Sequence, residues 1–168
     1  VARGMGKCCV AGAGDVVTRM QFGLAKAKWK ILDCSSHNSD KEAAAKAIDD
    51  DSRSLWHTRY NGGVDPMPHH ISVDLGETVT IFGFTYTPRQ DQWDGGIIMQ
   101  ARFEVSQDGK TWAITADKVD FDNIVNSRQQ QVVRLPVPAK ARYIRMTALR
   151  TANDNNLASA ADISVLVK

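Results

Sequence analysis

The segment Ala47-Ile48-Asp49-Asp50-Asp51-Ser52-Arg53-Ser54-Leu55-Trp56-His57-Thr58 gathers the residues of this chain best suited to ion chemistry. Consecutive carboxylates and two hydroxyls stand within a few residues of one another. A hard cation such as calcium needs such a set, because it takes about six to eight oxygen ligands at short range. Crowding Asp49, Asp50 and Asp51 costs like-charge repulsion unless a cation compensates. Ser54 is spaced to bring its hydroxyl back to the same centre, and Trp56 offers an apolar anchor. A solvated acidic turn is the commoner fate of a carboxylate triplet, and both readings stand at this level. An EF-hand is excluded. Counted from Asp49, Ser54 stands where that loop needs Gly, and Tyr60 where it needs Glu.

Length and charge bound what such a loop can serve. A chain of 168 residues suffices for one well-cored domain and not for two ordinary ones. Hydrophobic residues at 43% and charged residues at 24% are globular values, which exclude disordered and fibrous classes. The 21 basic and 19 acidic residues are scattered without a basic block, so nucleic acid is not an expected partner. No apolar run approaches the ~20 residues of a membrane span. The N-terminus lacks the layout of a signal peptide, and a mature or excised fragment is the expected form. Cys8, Cys9 and Cys34 have no C-x-x-C spacing, which disfavours zinc. A bridge from Cys34 to Cys8 or Cys9 and free, partly buried thiols both stay open.

The elements that must position the loop are mostly strands. Residues 1–25 are Gly- and Ala-rich without a clear period and read as a lead-in to a domain over 26–168. Residues 29–34 predict a short strand, and Ala-rich 41–48 a turn or two of helix before the acidic loop. Residues 70–75 alternate apolar and polar as a half-buried strand does. Gly76-Glu77 breaks that strand, and 78–87 forms the next. Further strands are expected over 97–106, 111–119, 129–137, 141–149 and 162–167, with Asp108-Gly109 as a tight reversal. Pro136 and Pro138 confine their stretch to an edge or an exit. Many short strands with turns between them predict an all-β, antiparallel β-sandwich of jelly-roll type. Trp29, Trp56 and Trp112 are expected in its core. Successive strand residues His69 and His70 point to opposite faces, so they cannot chelate together.

The landmarks then resemble a known superfamily. Ala47-Ile48-Asp49-x-Asp51-x-x-Ser54-x-Trp56 is similar to the Ala-x-Asp-Gly-x-x-x-Thr-x-Trp signature of discoidin, or coagulation factor V/VIII type C, domains. The likeness continues through residues 68–76, 84–89, 103–112, 141–145 and 160–163 in order. Within the superfamily the chain most resembles the family 32 carbohydrate-binding modules of bacterial glycoside hydrolases. The resemblance implies a galactose-binding-domain-like fold and a structural calcium cage. That cage would use the carbonyls of Lys46 and Ala161 with the side chains of Asp49, Asp51, Ser54 and Asp162. Asp50 replaces the usual Gly, Ser54 a Thr, and Asp162 a Glu whose reach is one methylene longer.

Sugar recognition needs a planar polar group that bridges adjacent hydroxyls and an aromatic surface for the ring's C–H face. Carried over residue by residue, the resemblance puts His57, Tyr60, Arg89, Asp94 and Asn156 at the ligand site. Asp94 stands where the family has Asn, and neither Asn156 nor Leu157 supplies the family's late aromatic ring. Trp93, in the polar loop 90–96, is either the missing platform or a ring folded over the sandwich edge. The implied function is a non-catalytic, calcium-stabilised module that binds terminal galactose-type sugars and targets a parent glycoside hydrolase. It would work outside the cell, at its surface or in the periplasm. An enzyme in its own right is disfavoured, since no nucleophile–base motif and no facing carboxylate pair is evident. A discoidin-type domain binding protein or phospholipid is the other reading, and only Trp93 offers it an exposed apolar spike.

Overall fold

The computed structural model describes residues 22–168. Most of the expected lead-in, with Cys8 and Cys9, lies outside the described residues. The strands are β1 (Phe22–Gly23), β2 (Lys30–Cys34), β3 (Trp56–His57), β4 (His69–Thr87), β5 (Ile98–Ser106), β6 (Ala113–Asp120), β7 (Gln131–Thr151), β8 (Ser159–Ala160) and β9 (Asp162–Val167). The Ala-rich stretch forms two 3-10 turns, Asp40–Glu42 and Ala44–Ala47, parted by extended Ala43.

Two long strands replace the two pairs expected from sequence. Gly76 takes a φ of +79°, and the register of β4 on β7 shifts between Asp74 and Val79. Such an irregularity bends a strand without ending it. Gly76 is also the residue that fits there, because a Cβ would sit 2.7 Å from that of Lys28. In β7 the prolines fall between Arg134 and Ala139, where no residue pairs with β4, so the missing N–H groups leave no gap in the ladder.

The sheet order is β1-β9-β4-β7-β5-β6, with β2 also on β4. β9 pairs with residues 83–87 of β4, whereas β2 pairs with residues 71–74. β5 lies on the C-terminal half of β7. The bent halves face one another: Phe84 of β4 stacks on Phe103 of β5 with ring centroids 4.8 Å apart. The result is the all-β antiparallel sandwich that the turn-punctuated strands predict. Ile71, Val73 and Leu75 alternate into its core as expected, each 1% exposed.

Trp29 and Trp56 are buried as well. Trp112 is not, which corrects its placement in the core. It is half-buried, with the Arg145 guanidinium 4.0 Å above its ring. His69 is buried between Ser35 Oγ (3.1 Å) and the Asn156 carbonyl (2.8 Å), while His70 faces Asp33 at 3.5 Å. Cys34 forms no disulfide among the described residues. Among those residues no helix is long and apolar enough to cross a membrane.

Candidate functional site

A two-strand ladder carries the site. Trp56 of β3 pairs with Ala160 of β8, and His57 pairs with Ser159. Thr58 extends the join: its N–H donates to the Ala158 carbonyl, and its Oγ1 accepts the Ala158 N–H, both at 2.9 Å. The loop before β5 closes on the same segment through Ser159 N–H to Gly96 O, 2.8 Å. A Cβ on Gly96 would lie 2.9 Å from the Ala158 carbonyl carbon, so the approach needs glycine there. At this junction opens a cavity of about 430 Å³ lined by Glu42, His57, Tyr60, Arg89, Asp91, Trp93, Gly95 and Leu157.

Each polar group in it is held from behind. Arg89 donates Nε and Nη2 to Asp91 at 2.7 and 2.8 Å, and Nη1 to the Gly95 carbonyl at 2.7 Å. One N–H on each terminal nitrogen is left for a ligand. The guanidinium holds the Asp91 carboxyl below the usual carboxylate range, helped by the Trp93 N–H. His57 is 2% exposed and sits edge-on to Tyr60, with centroids 4.9 Å apart. Its Nδ1 lies 2.7 Å from the Thr58 carbonyl. A carbonyl only accepts, so Nδ1 carries the proton and Nε2 of the neutral ring is an acceptor. Burial pushes this imidazole below its usual pKa, and the Arg89 charge adds to that.

Tyr60 donates its hydroxyl to Glu42, whose carboxylate also accepts from Asn38 Nδ2 at 2.7 Å and from Ser39 Oγ. Trp93 stands at the rim, 63% exposed, its flank open as a stacking surface. The cavity therefore offers fixed donors on Arg89, acceptors on Glu42 and His57, and aromatic faces. That is the donor–acceptor pattern of a polyhydroxylated ligand.

Of the residues expected at the ligand site, the structure brings together His57, Tyr60, Arg89 and Trp93. Asp94 is not among the residues lining the cavity: it pairs with Arg128, and its carbonyl accepts the Ile97 N–H in a reverse turn. Asp91, two residues after Arg89, faces the guanidinium in its place. Asn156 does not line the cavity either. Its backbone is left-handed (φ 55°), its carbonyl is taken by His69, and Leu157 forms that wall instead. Glu42 lines the cavity too, arriving from a remote turn whose sequence carries no site signal.

The acidic loop is organised around one hydroxyl. Ser54 Oγ lies 2.9 and 2.8 Å from the two Asp49 carboxylate oxygens, 3.0 Å from the Asp51 carbonyl and 3.3 Å from the Lys46 carbonyl. A hydroxyl has a single proton, so it cannot satisfy four acceptors, and an all-oxygen group of this kind suits a hard cation. The triplet itself does not converge. Asp51 turns its carboxylate to Arg53 Nε and Nη2 at 2.9 and 3.0 Å, and it is its carbonyl that faces Ser54 Oγ. Asp50 turns to Lys26, which also binds Asp162. Among the described residues no three His, Cys, Asp or Glu side chains are grouped to hold a metal. The residues fit a calcium ion on the loop side, through Lys46, Asp49, Asp51 and Ser54. On the strand side Ala161 is buried between β8 and β9, and Asp162 is already engaged by Lys26.

Comparison with known proteins shows the family of the fold. A sialidase of Micromonospora viridifaciens is 34% identical over 162 residues, which cover 92% of this chain and 24% of that protein. A galactose oxidase of Gibberella zeae is 29% identical over 143 residues, 84% of this chain and 20% of its own length. The chain thus spans a quarter or less of these curated relatives. Among solved structures, CpGH89CBM32-5 of Clostridium perfringens, in complex with GalNAc-β-1,3-galactose, superposes with a TM-score of 0.78 at 28% identity. That match covers 87% of this chain and 100% of the other. The F5/8 type C domain profile matches residues 32–163, most of the described sandwich, and the chain belongs to that family.

Proposed function

We propose that this domain is a carbohydrate-binding module for terminal galactose-type sugars, accessory to a glycan-degrading enzyme in the same polypeptide. The observation that carries the reading is the set of Arg89, Glu42 and His57 around one cavity with Trp93 exposed beside it. Arg89 spans two neighbouring hydroxyls, Glu42 and His57 Nε2 accept from hydroxyls, and Trp93 packs on the sugar's C–H face. The glycan in the complex of CpGH89CBM32-5 supports a galactose-type ligand. The partial coverage of the sialidase supports a role as one unit of a larger enzyme. Such a module works where glycans are met, outside the cell, at its surface or in the periplasm. A calcium ion at the 49–54 loop supports the site without chemistry of its own, by holding the turn that leads into His57.

The test is a glycan array with the full chain, followed by titration of the hits. Terminal galactose-type glycans bind, and Arg89→Ala abolishes the signal. Glu42→Gln, which keeps the side chain's shape, weakens it by roughly tenfold or more, the scale of one hydrogen bond to a charged group. Undiminished binding by both variants would overturn the site. Attachment to acidic lipid vesicles with no glycan signal would replace the sugar reading by the lipid one.

A further inference from the structure

The charge balance around the acidic loop contains an unexpected member. Lys26 lies just before β2, and only 5% of its side chain is exposed. Its ammonium sits 2.9 Å from Asp50 Oδ1 and is also paired with Asp162 Oδ1. It lies 5.6 Å from the ring centroid of Trp29, a buried residue, so its stem and head are both packed. Asp50 belongs to the 49–54 loop and adopts a left-handed φ of 59° that turns its side chain to this lysine. Asp162 opens β9, and its side chain is 16% exposed. A single ammonium thus ties the loop to the last strand, which is the join a divalent ion at this place would make.

We infer that Lys26 is a tethered resident cation: it bridges the loop and β9 in the metal-free chain and competes with calcium for Asp162. The inference rests on the proposed calcium ion at the loop and adds what limits its binding. On the loop side the Lys46 ammonium stands 3.5 Å from Asp49 Oδ2, a looser contact with both side chains more exposed than Lys26 and Asp162 are. The strand-side carboxylate is held by the buried ammonium of Lys26, so an incoming ion either displaces that ammonium or binds without Asp162 beside a like charge. Both routes weaken binding. The bridge in turn leaves the fold less dependent on metal than a cage with an unpaired strand-side carboxylate, because Asp162, the less exposed of the two carboxylates, escapes the cost of an unpaired buried charge.

The test is calcium chloride titrated calorimetrically into the chelator-treated full chain and into Lys26→Met, with melting curves of each in chelator and in calcium. Lys26→Met keeps the stem and removes the charge. It binds calcium at least about tenfold more tightly than the parent, melts lower in chelator, and gains more from calcium. Should Lys26→Met not fold in chelator, Lys26→Gln, whose amide still donates to one carboxylate, is measured the same way and shows the same order. Equal calcium affinity in parent and variant overturns the role of Lys26 while leaving calcium at the loop intact. Equal melting in chelator overturns the bridge. No calcium binding by either protein overturns the competition together with the calcium reading, and the Arg89 test of the sugar site is untouched by that result.

Discussion

His57 shows how one residue's surroundings set its chemistry. Its proton is held at Nδ1 by the Thr58 carbonyl, and burial keeps the ring neutral, so Nε2 remains an acceptor at neutral pH. The sign of the pH dependence follows. A histidine whose folded pKa is depressed disfavours folding once the unfolded chain begins to protonate, below about pH 6.5. The stability it contributes is present above that pH and lost as pH falls to the lowered folded value. Loss of the Nε2 acceptor comes later, at the folded pKa itself. Glycan affinity is therefore expected to hold as pH falls through the ordinary histidine range and to drop only below it. An NMR titration of the imidazole beside a binding curve checks this, and a drop centred at or above about pH 6.5 contradicts it. The Arg89–Asp91 pair is not the source of such a drop. The depressed carboxyl of Asp91 stays ionised until pH falls below the usual carboxylate range.

At the scale of elements, the site depends on the short β3–β8 ladder more than on the large sheet. Thr58 is fully buried and satisfies both backbone polar groups it faces on Ala158. Thr58→Val keeps the shape but leaves the Ala158 N–H without an acceptor, a cost of about 1–3 kcal/mol. The expected melting temperature falls by roughly 3–10 °C. Glycan affinity falls as well, because the wall at Leu157 and the floor at His57 hang from the same bonds. An unaltered melt places these hydrogen bonds outside the stability of the fold. The same ladder explains the site's legibility. His57 and Tyr60 follow Trp56 at fixed spacing, and Arg89 follows the end of β4, so their neighbourhood was readable. Which carboxylate meets Arg89 was not, since a turn of a few residues turns Asp91 in and Asp94 out.

Over the whole molecule, the sandwich stands on two bent strands, β4 and β7, and on the packing of their halves. Phe103 is fully buried against Phe84 across the layers. Phe103→Ala removes that contact and is expected to cost about 3–5 kcal/mol, read as a fall in the urea midpoint with unchanged slope. If the loss is below about 1 kcal/mol, the two halves do not rely on this contact. Tyr86 ties the core to the site in the same way. Its hydroxyl accepts from the Ile98 N–H at 3.0 Å and donates to the Ser159 carbonyl at 3.1 Å, and burial pushes its pKa up so that it stays a donor.

The sequence by itself determined the class of fold and the residues that follow a landmark at short range. Alternation along a strand and the order Ala47, Asp49, Ser54, Trp56 are local, and local spacing survives any tertiary arrangement. It also determined that the acidic loop is built of oxygen donors. Only the tertiary structure decided how those charges are neutralised. Lys26 and Asp162 are 136 positions from one another, and Glu42 lies 47 before Arg89. Such partners are brought together by strand bends and turns that no periodicity reports. Sequence spacing names the groups able to do the chemistry, whereas packing selects which counter-charge each one meets.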